Sequence, residues 1–507
     1  MKLKSFVLLI GAVGLATAGH AQATRSPSNV VGDFFSKISP SLTPSIITRN
    51  AGNDMDQIQW LPIGSANPTH AIACIEENVN CLTGTCSVPF QFGDKLNPGV
   101  QRVELATGAI HTLVRGMQIC DGIRTTPWGT VIATEEDFAT DVGAVYEILD
   151  PMSNDTYTIL ARNNGDVPAT IVDQNNVDAS DRIVKRSALP VIRYEGLVVH
   201  PTGVVLAGDE ERPGSYSTGD TDGGAIFKFI PTTLRNPSAG NISDLAQSPL
   251  VSGTNYALGT SCTSGFQAGQ GCEIGSGRWR ALAPVNAAIG SGTGLPRIGR
   301  ESADAAQAVG YYRPEDMHED PLFSDPLNPN ALRFCFANTG EAGSRNYGEV
   351  QCAIDSAITT APASNSVTIN RFIEGNPELN QPDNLEFHPT NGSLYVIEDN
   401  PTGDVWACLP DGADTDIKSD GCVLLFKLSS TSAEPTGFIF HPNGNEAVFV
   451  IQHSNDAAMP LFDDYTTDDF IRLTGFGATS GSVDFGSRQE ALLKRQSQQL
   501  LGITPAP

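Results

Sequence analysis

The stretch DGIRTTPWGTVIATEED, from Asp121 to Asp137, strings together an acidic residue, a short apolar run, a Pro-Trp-Gly turn, a second apolar run and closing carboxylates. The phrase returns, varied, as EGLVVHPTGVVLAGDEE (Glu195 to Glu211), DNLEFHPTNGSLYVIED (Asp383 to Asp399) and TGFIFHPNGNEAVFVIQH (Thr436 to His453). A looser copy, EDMHEDPLFSDPLNPNALRFCFANTG, runs from Glu315 to Gly340. Each copy predicts two strands joined by a tight turn, because Pro presets the turn and Gly or Asn accepts its positive φ. A hairpin repeated through one chain predicts an all-β protein, a β-propeller whose blades carry acids at the hairpin ends.

Working outward, the 507 residues accommodate about six blades of roughly 40 to 50 residues each, with long inserted loops. The segments IQWLPIG and HAIACIE, from Gln57, read as the first blade, so a single propeller domain is expected over 54–507. The Ser/Pro/Asn-rich residues 24–53 predict an extended N-terminal arm or closing strand. The Gly/Ser/Ala-rich residues 232–308 predict the largest insertion. The pattern RQEALLKRQSQQLL, Arg488 to Leu501, predicts a short C-terminal helix packed on the propeller. At the other end Lys2 and Lys4 precede an apolar run, Phe6 to Ala18, and Ala21-Gln22-Ala23 offers a cleavage site. Residues 1–23 therefore read as a signal peptide cleaved near Ala23, which places the mature chain in the periplasm or outside the cell.

With 57 acids against 31 bases and a formal charge of −26, no nucleic-acid partner and no anionic membrane surface is expected; the chain reads as a monomer acting on a small molecule. Ten cysteines in an exported chain are first read as disulfides. Local pairs are Cys262 with Cys272, Cys335 with Cys352, and Cys408 with Cys422. Cys74, Cys81, Cys86 and Cys120 remain. Either they form two more bridges, or Cys120 is a free thiolate available to a metal.

In an antiparallel hairpin the start of one strand and the end of its partner lie about 5 Å apart. Asp121, Glu195, the Glu315-Asp316 pair and Asp383 start first strands, while Glu135-Glu136, Asp209-Glu210 and Glu398-Asp399 end second strands. If these are inner strands of blades, the acids converge at one mouth of the channel, where bound cations relieve their repulsion. Asp, Glu, Asn384 and strand-end carbonyls form an oxygen-rich cage suited to several calcium ions (Ca2+). His453 could add a nitrogen donor, whereas His200, His388 and His441 stand at turns and read as structural. Arg313, directly before Pro314-Glu315-Asp316, sets a fixed cation beside two carboxylates, a pattern that can clamp an anion while the acids hold metal.

These phrases together resemble the PhoX-type alkaline phosphatases. The match rests on Cys120 followed by Thr126-Pro127-Trp128-Gly129-Thr130 and Glu135-Glu136; on Tyr194-Glu195; on Arg313-Pro314-Glu315-Asp316; on Pro382-Asp383-Asn384-Leu385; and on Thr436-Gly437 through Gln452-His453, in the family's order over roughly residues 115 to 455. The resemblance implies a propeller with a calcium and iron (Fe3+) cluster that hydrolyses phosphomonoesters. It implies metal ligation by Cys120, Glu195, Glu315 and Asp383, with Asp316, Asn384, Glu135 and Glu136 beside them, and catalytic roles for Arg313, at the substrate phosphate, and Glu315. Two other readings fit the acidic mouth: a calcium-stabilised propeller without turnover, and a propeller lactonase or phosphodiesterase.

Overall fold

The computed structural model describes residues 31–87, 89–136, 143–163, 168–213, 222–262, 273–282, 298–400, 403–409, 421–430, 432–452 and 461–476. The expected leader, the C-terminal helix, Cys272 and His453 lie outside the described residues.

How the decisive stretch folds is visible atom by atom. Strands Cys120–Thr125 and Thr130–Glu135 pair antiparallel, Thr125 opposite Val131. Between them Gly129 takes φ +89°, a region open to glycine, and its N–H donates to Thr126 O at 3.1 Å. Trp128 is fully buried and donates its indole N–H to Glu147 at 2.6 Å. Thr130 donates to the same oxygen at 2.7 Å and Arg186 pairs with the other at 2.6 Å. A buried carboxylate is thus satisfied on both oxygens, and it locks the hairpin to the third strand of its blade.

Six such units form a ring. Their inner strands are Met55–Leu61, Cys120–Thr125, Tyr194–Val199, Pro314–Glu319, Pro382–Phe387 and Glu434–Phe440, each packed against the next and the last against the first. These define blades one to six, each starting at the channel with a run of at least three antiparallel strands; in blade one the outer pair, Tyr157–Ala161 and Thr170–Asp173, comes from chain that follows the first three strands of blade two, with Tyr157–Ala161 parallel to Ile110–Arg115. The N-terminal segment closes the ring: Thr43–Gly52 pairs with Thr467–Thr474 as the outermost strand of blade six, and Phe35–Ile38 edges blade five. Closure by a strand from the far end of the chain ties the two termini of the propeller together and removes an open edge. The stretch 232–308 is more regular than its composition suggested. It supplies the outer strand of blade three, Gly253–Gly259, then Gly275–Ala281, which bridges to Val367–Glu374 of blade four, then a helix, Ile298–Ala305. Glycines in paired strands explain why alternation failed to announce them. Among the described residues no helix is long and apolar enough to cross a membrane.

One buried side chain reaches across the axis. From blade two, Arg124 donates to Gln57 of blade one, to Leu197 O of blade three at 2.8 Å, and to Asp316 and Met317 O of blade four at 2.7 and 2.9 Å. Asp316 in turn accepts from Leu385 N of blade five at 3.0 Å, and His318 lies between Asp316 (3.0 Å) and Glu386 (3.3 Å). Glu386 accepts from Phe440 N of blade six at 3.1 Å. All six blades are therefore joined by one buried polar network. Burial alone would raise the Asp316 carboxyl, but His318 and Arg124 outweigh it and hold the group below the usual carboxylate range.

Arg124→Met should lower folding stability by about 3–5 kcal/mol, because it removes the guanidinium from buried Asp316, leaving that carboxylate only His318 and backbone N–H groups, and breaks the bonds to Gln57, Leu197 O and Met317 O. Urea unfolding measures this, and pairing the change with Asp316→Asn should recover part of the loss. A single variant within about 1 kcal/mol of the parent would show that the network does not hold the blades.

Candidate metal centre

Every inner strand carries the same irregularity at the same place. Opposite one residue of the second strand stand two of the first: Asp56-Gln57, Asp121-Gly122, Glu195-Gly196, Glu315-Asp316, Asp383-Asn384 and Gly437-Phe438. Such a bulge bends the strand and re-aims a side chain. In five blades the first bulge residue is a carboxylate, and all five face one cavity of about 210 Å3 at the channel mouth. Neighbouring inner strands approach backbone to backbone here. A Cβ on Gly122 would lie 2.2 Å from Glu195 O, and one on Gly196 2.2 Å from Met317 N, so these places in the phrase admit only glycine.

A second ring comes from the ends of the second strands. Glu76, Glu136, Glu210, Asp399 and Gln452 line the same cavity, and in blade four Thr339 places its hydroxyl 2.8 Å from Glu315. Blade six has Gly437 at its bulge and contributes Glu434 from further back along the strand. Ten carboxylates thus face three guanidiniums, Arg193, Arg212 and Arg313.

Of the residues singled out from the sequence, Glu136, Glu195, Glu315, Asp383 and Arg313 line this cavity; Glu135, Asp316, Asn384 and Cys120 do not. Strand alternation explains the first of these corrections: Glu135 turns away from its neighbour Glu136 and is held by Gln118 N (2.9 Å) and Arg162 (2.8 Å). Asp316 and Asn384 are second bulge residues. Asp316 serves the Arg124 network, and Asn384 accepts from Thr436 Oγ1 and Gly437 N at 2.8 and 2.7 Å, stapling blade five to blade six. Cys120 is disulfide-bonded to Cys74, so its sulfur is committed to a covalent bond and cannot be a thiolate ligand. The residue aimed into the cavity from this strand is the next one, Asp121. Of the other pairings, Cys335–Cys352 and Cys408–Cys422 are present, joined by Cys81–Cys86. His200 and His441 bond within their turns, and His388 bonds Thr390 in its own turn and Gly444 O in the blade-six turn.

Asp56, Glu76 and Glu434 were missed, while Asp121 was counted among the acids of the mouth but not among the residues singled out as ligands. The signal was present for blade one: Asp56 precedes the apolar run through Leu61, and Glu76-Glu77 close HAIACIEE in the same phrase.

The acids form two compact groups. Asp56, Glu76 and Asp121 bring ligand oxygens within 4.8 Å of one another, as do Glu195, Glu315 and Asp383. Asp56 and Asp121 are each 3% exposed, and each has a buried Oδ1 with no hydrogen-bond partner. An orphaned carboxylate oxygen in a tight group of acids is the arrangement a hard cation completes, so the donor set fits calcium. Burial foremost, then the neighbouring carboxylates, raises the Asp121, Glu195 and Asp383 carboxyls well above their ordinary range and brings Asp56 up to about 7. Burial, then Asp399 and Asp383, does the same to Glu434. Glu210 is the exception: burial works against its charge, but Arg193 and Arg313 prevail and keep it below the ordinary range. An alternating chain, Glu136–Arg193–Glu210–Arg313–Glu315, runs along the wall.

A six-bladed propeller with an acid-lined mouth is the class this geometry defines. The alkaline phosphatase PhoX family matches residues 98–455, and the chain belongs to that family. Its members are metal-dependent phosphatases, in keeping with the two carboxylate groups. No curated protein matches the sequence. Among solved structures the chain is similar to a luciferin-regenerating enzyme (10% identity, 86% of this chain and 96% of that one, TM-score 0.36). It is also similar to a gluconolactonase from Xanthomonas campestris (11%, 85% and 98%, TM-score 0.30) and an auxiliary nutrient binding protein from Bacteroides thetaiotaomicron (9%, 86% and 77%, TM-score 0.31).

Two outcomes follow from the site. In excess chelator the carboxyls with raised folded values hold protons that the unfolded chain releases, so their stability contribution is complete below about pH 4 and fades as each ionises. For Asp56 that window runs from 3.8 to about 7. The melting temperature of the metal-free protein should therefore fall between about pH 4 and 8, and calcium should remove the fall; a rise with pH in chelator would contradict this. Separately, Asp121→Asn should weaken calcium binding by calorimetry, while the Cys74→Ser/Cys120→Ser pair should still bind. The reverse pattern would restore Cys120 as the ligand.

Proposed function

We propose that the chain is an exported phosphatase that hydrolyses phosphomonoesters, with calcium ions held by the Asp56/Glu76/Asp121 and Glu195/Glu315/Asp383 groups. The observation that carries this reading is the placement of Arg313 on the cavity wall, beside Glu315 of the second carboxylate group. Its Nε and Nη2 are held by Glu210 and Glu315, while Nη1 lies 3.7 Å from Asp399, beyond hydrogen-bond distance. One edge of the guanidinium is thereby fixed, and Nη1, paired only loosely with Asp399, is the group placed to take a phosphate oxygen.

Cations bound at the two groups would supply positive charge against the phosphate oxygens and offset the repulsion between the substrate and the acids. The chain's own residues do the orienting. Glu210, held ionised between Arg193 and Arg313, sets the plane of the Arg313 fork. Thr339 fixes one oxygen of Glu315, so Arg313 is braced by a carboxylate that cannot swing. A fixed, charged fork at the phosphoryl group stabilises negative charge without reorganising at the moment of reaction. The oxygen-only donor set supports calcium. The thiolate argument for iron falls with the Cys74–Cys120 bond. The described disulfides and the leader sequence support export to the periplasm or beyond.

Chelation should abolish turnover of a chromogenic phosphomonoester and lower the melting temperature, both reversed by calcium. Arg313→Ala should cut kcat by about 10- to 1000-fold with the fold intact, and Arg313→Lys should recover part of it, since a point charge lacks the fork. Parental rates in the Ala variant would reduce Arg313 to a structural ion pair. A calcium-loaded protein with no turnover would establish the propeller as a binding module.

A further inference from the structure

Three guanidiniums line the cavity, and two are already committed. Arg193 is paired with Glu136 and Glu210, and Arg313 with Glu210 and Glu315. Arg212 differs. It is exposed, it lines the same cavity, and its guanidinium makes no ion pair or hydrogen bond among the described residues. Only its backbone is tied, N–H donating to Glu211 at 3.0 Å, while Glu211 is itself anchored by Arg300 at 2.7 Å. A tied backbone thus presents an exposed guanidinium, without an ion-pair partner among the described residues, to a strongly acidic mouth. Arg212 stands two residues after Glu210, the residue that orients Arg313, and both guanidiniums line the same cavity.

An anion approaching ten carboxylates meets an unfavourable field, and a rim cation acts chiefly on such an approach, through association rate and salt dependence. A guanidinium also offers two parallel N–H donors to a phosphate, more than an ammonium would. We propose that Arg212 is the residue that captures the incoming phosphate dianion and passes it to Arg313, and that it thereby favours dianionic monoesters over monoanionic diesters. The proposal rests on the phosphatase reading for its substrate. It makes Arg212 a binding and specificity residue, distinct in effect from Arg313.

The test uses full-length, calcium-loaded protein and two exposed-site variants, Arg212→Ala and Arg212→Glu. Inorganic phosphate binding is followed by calorimetry, and kcat and KM for p-nitrophenyl phosphate and for bis-p-nitrophenyl phosphate are followed across ionic strength. Arg212→Ala should weaken phosphate binding by about 10-fold, the size of losing a charge-assisted contact, and Arg212→Glu by more. KM for the monoester should rise by a larger factor than kcat falls, the diester should be less affected, and kcat/KM should climb more steeply with added salt, because the repulsion of the acids has lost one compensating cation. If both variants bind phosphate as the parent does, with the same salt slope, the proposal is overturned while the phosphatase reading stands. Phosphate binding that depends on Arg212 in a protein without turnover would keep the proposal and overturn the phosphatase reading. A parent protein that binds no phosphate would overturn the proposal.

Discussion

Crowding ten carboxylates around one channel mouth is the constraint on which this structure turns. Buried like charges at this density cannot all ionise without compensation. Asp121, Glu195, Asp383 and Glu434 are accordingly driven toward their protonated forms. Divalent cations bound at the two carboxylate groups would resolve the conflict in the other direction, by displacing the protons. Metal binding and protonation would then be one linked equilibrium.

The scaffold beneath that mouth opposes the repulsion by covalent and polar means. Arg124 and Asp316 couple all six blades through buried contacts, and the Cys74–Cys120 bond joins the second strand of blade one to the inner strand of blade two. The N-terminal strand locks blade six to the chain's beginning. Because the bulges repeat in every inner strand, one geometric device serves the whole ring: it lifts the first bulge residue into the cavity and turns the second toward the axis or the next blade. In blades one to five that first residue is Asp or Glu, and at the end of the second strand blade four alone of these has Thr339 in place of a carboxylate.

The hairpins were legible because Pro, Gly and Asn at turns and period-two apolar runs are local signals, and the acids at hairpin ends followed from strand pairing. The choice between adjacent residues was not legible. A bulge shifts the parity of a strand by one, so alternation could not distinguish Cys120 from Asp121, Asp316 from Glu315, or Asn384 from Asp383. Glu135 and Glu136 required the second strand's phase, which depends on the same register. The disulfide of Cys120 was a stated alternative that only spatial neighbours could select. Strands inside 232–308 escaped notice because glycine-rich pairing leaves no apolar alternation, and blade one escaped as a site although Asp56 and Glu76 hold the same places in its hairpin.

Elemental analysis of the mature protein, purified without chelator and dialysed against metal-free buffer, tests the central claim most directly. The account predicts at least two calcium ions per chain, one for each of the two carboxylate groups, with iron far below stoichiometric. A protein that retains stoichiometric iron, or that retains no calcium and gains none on titration, would contradict it.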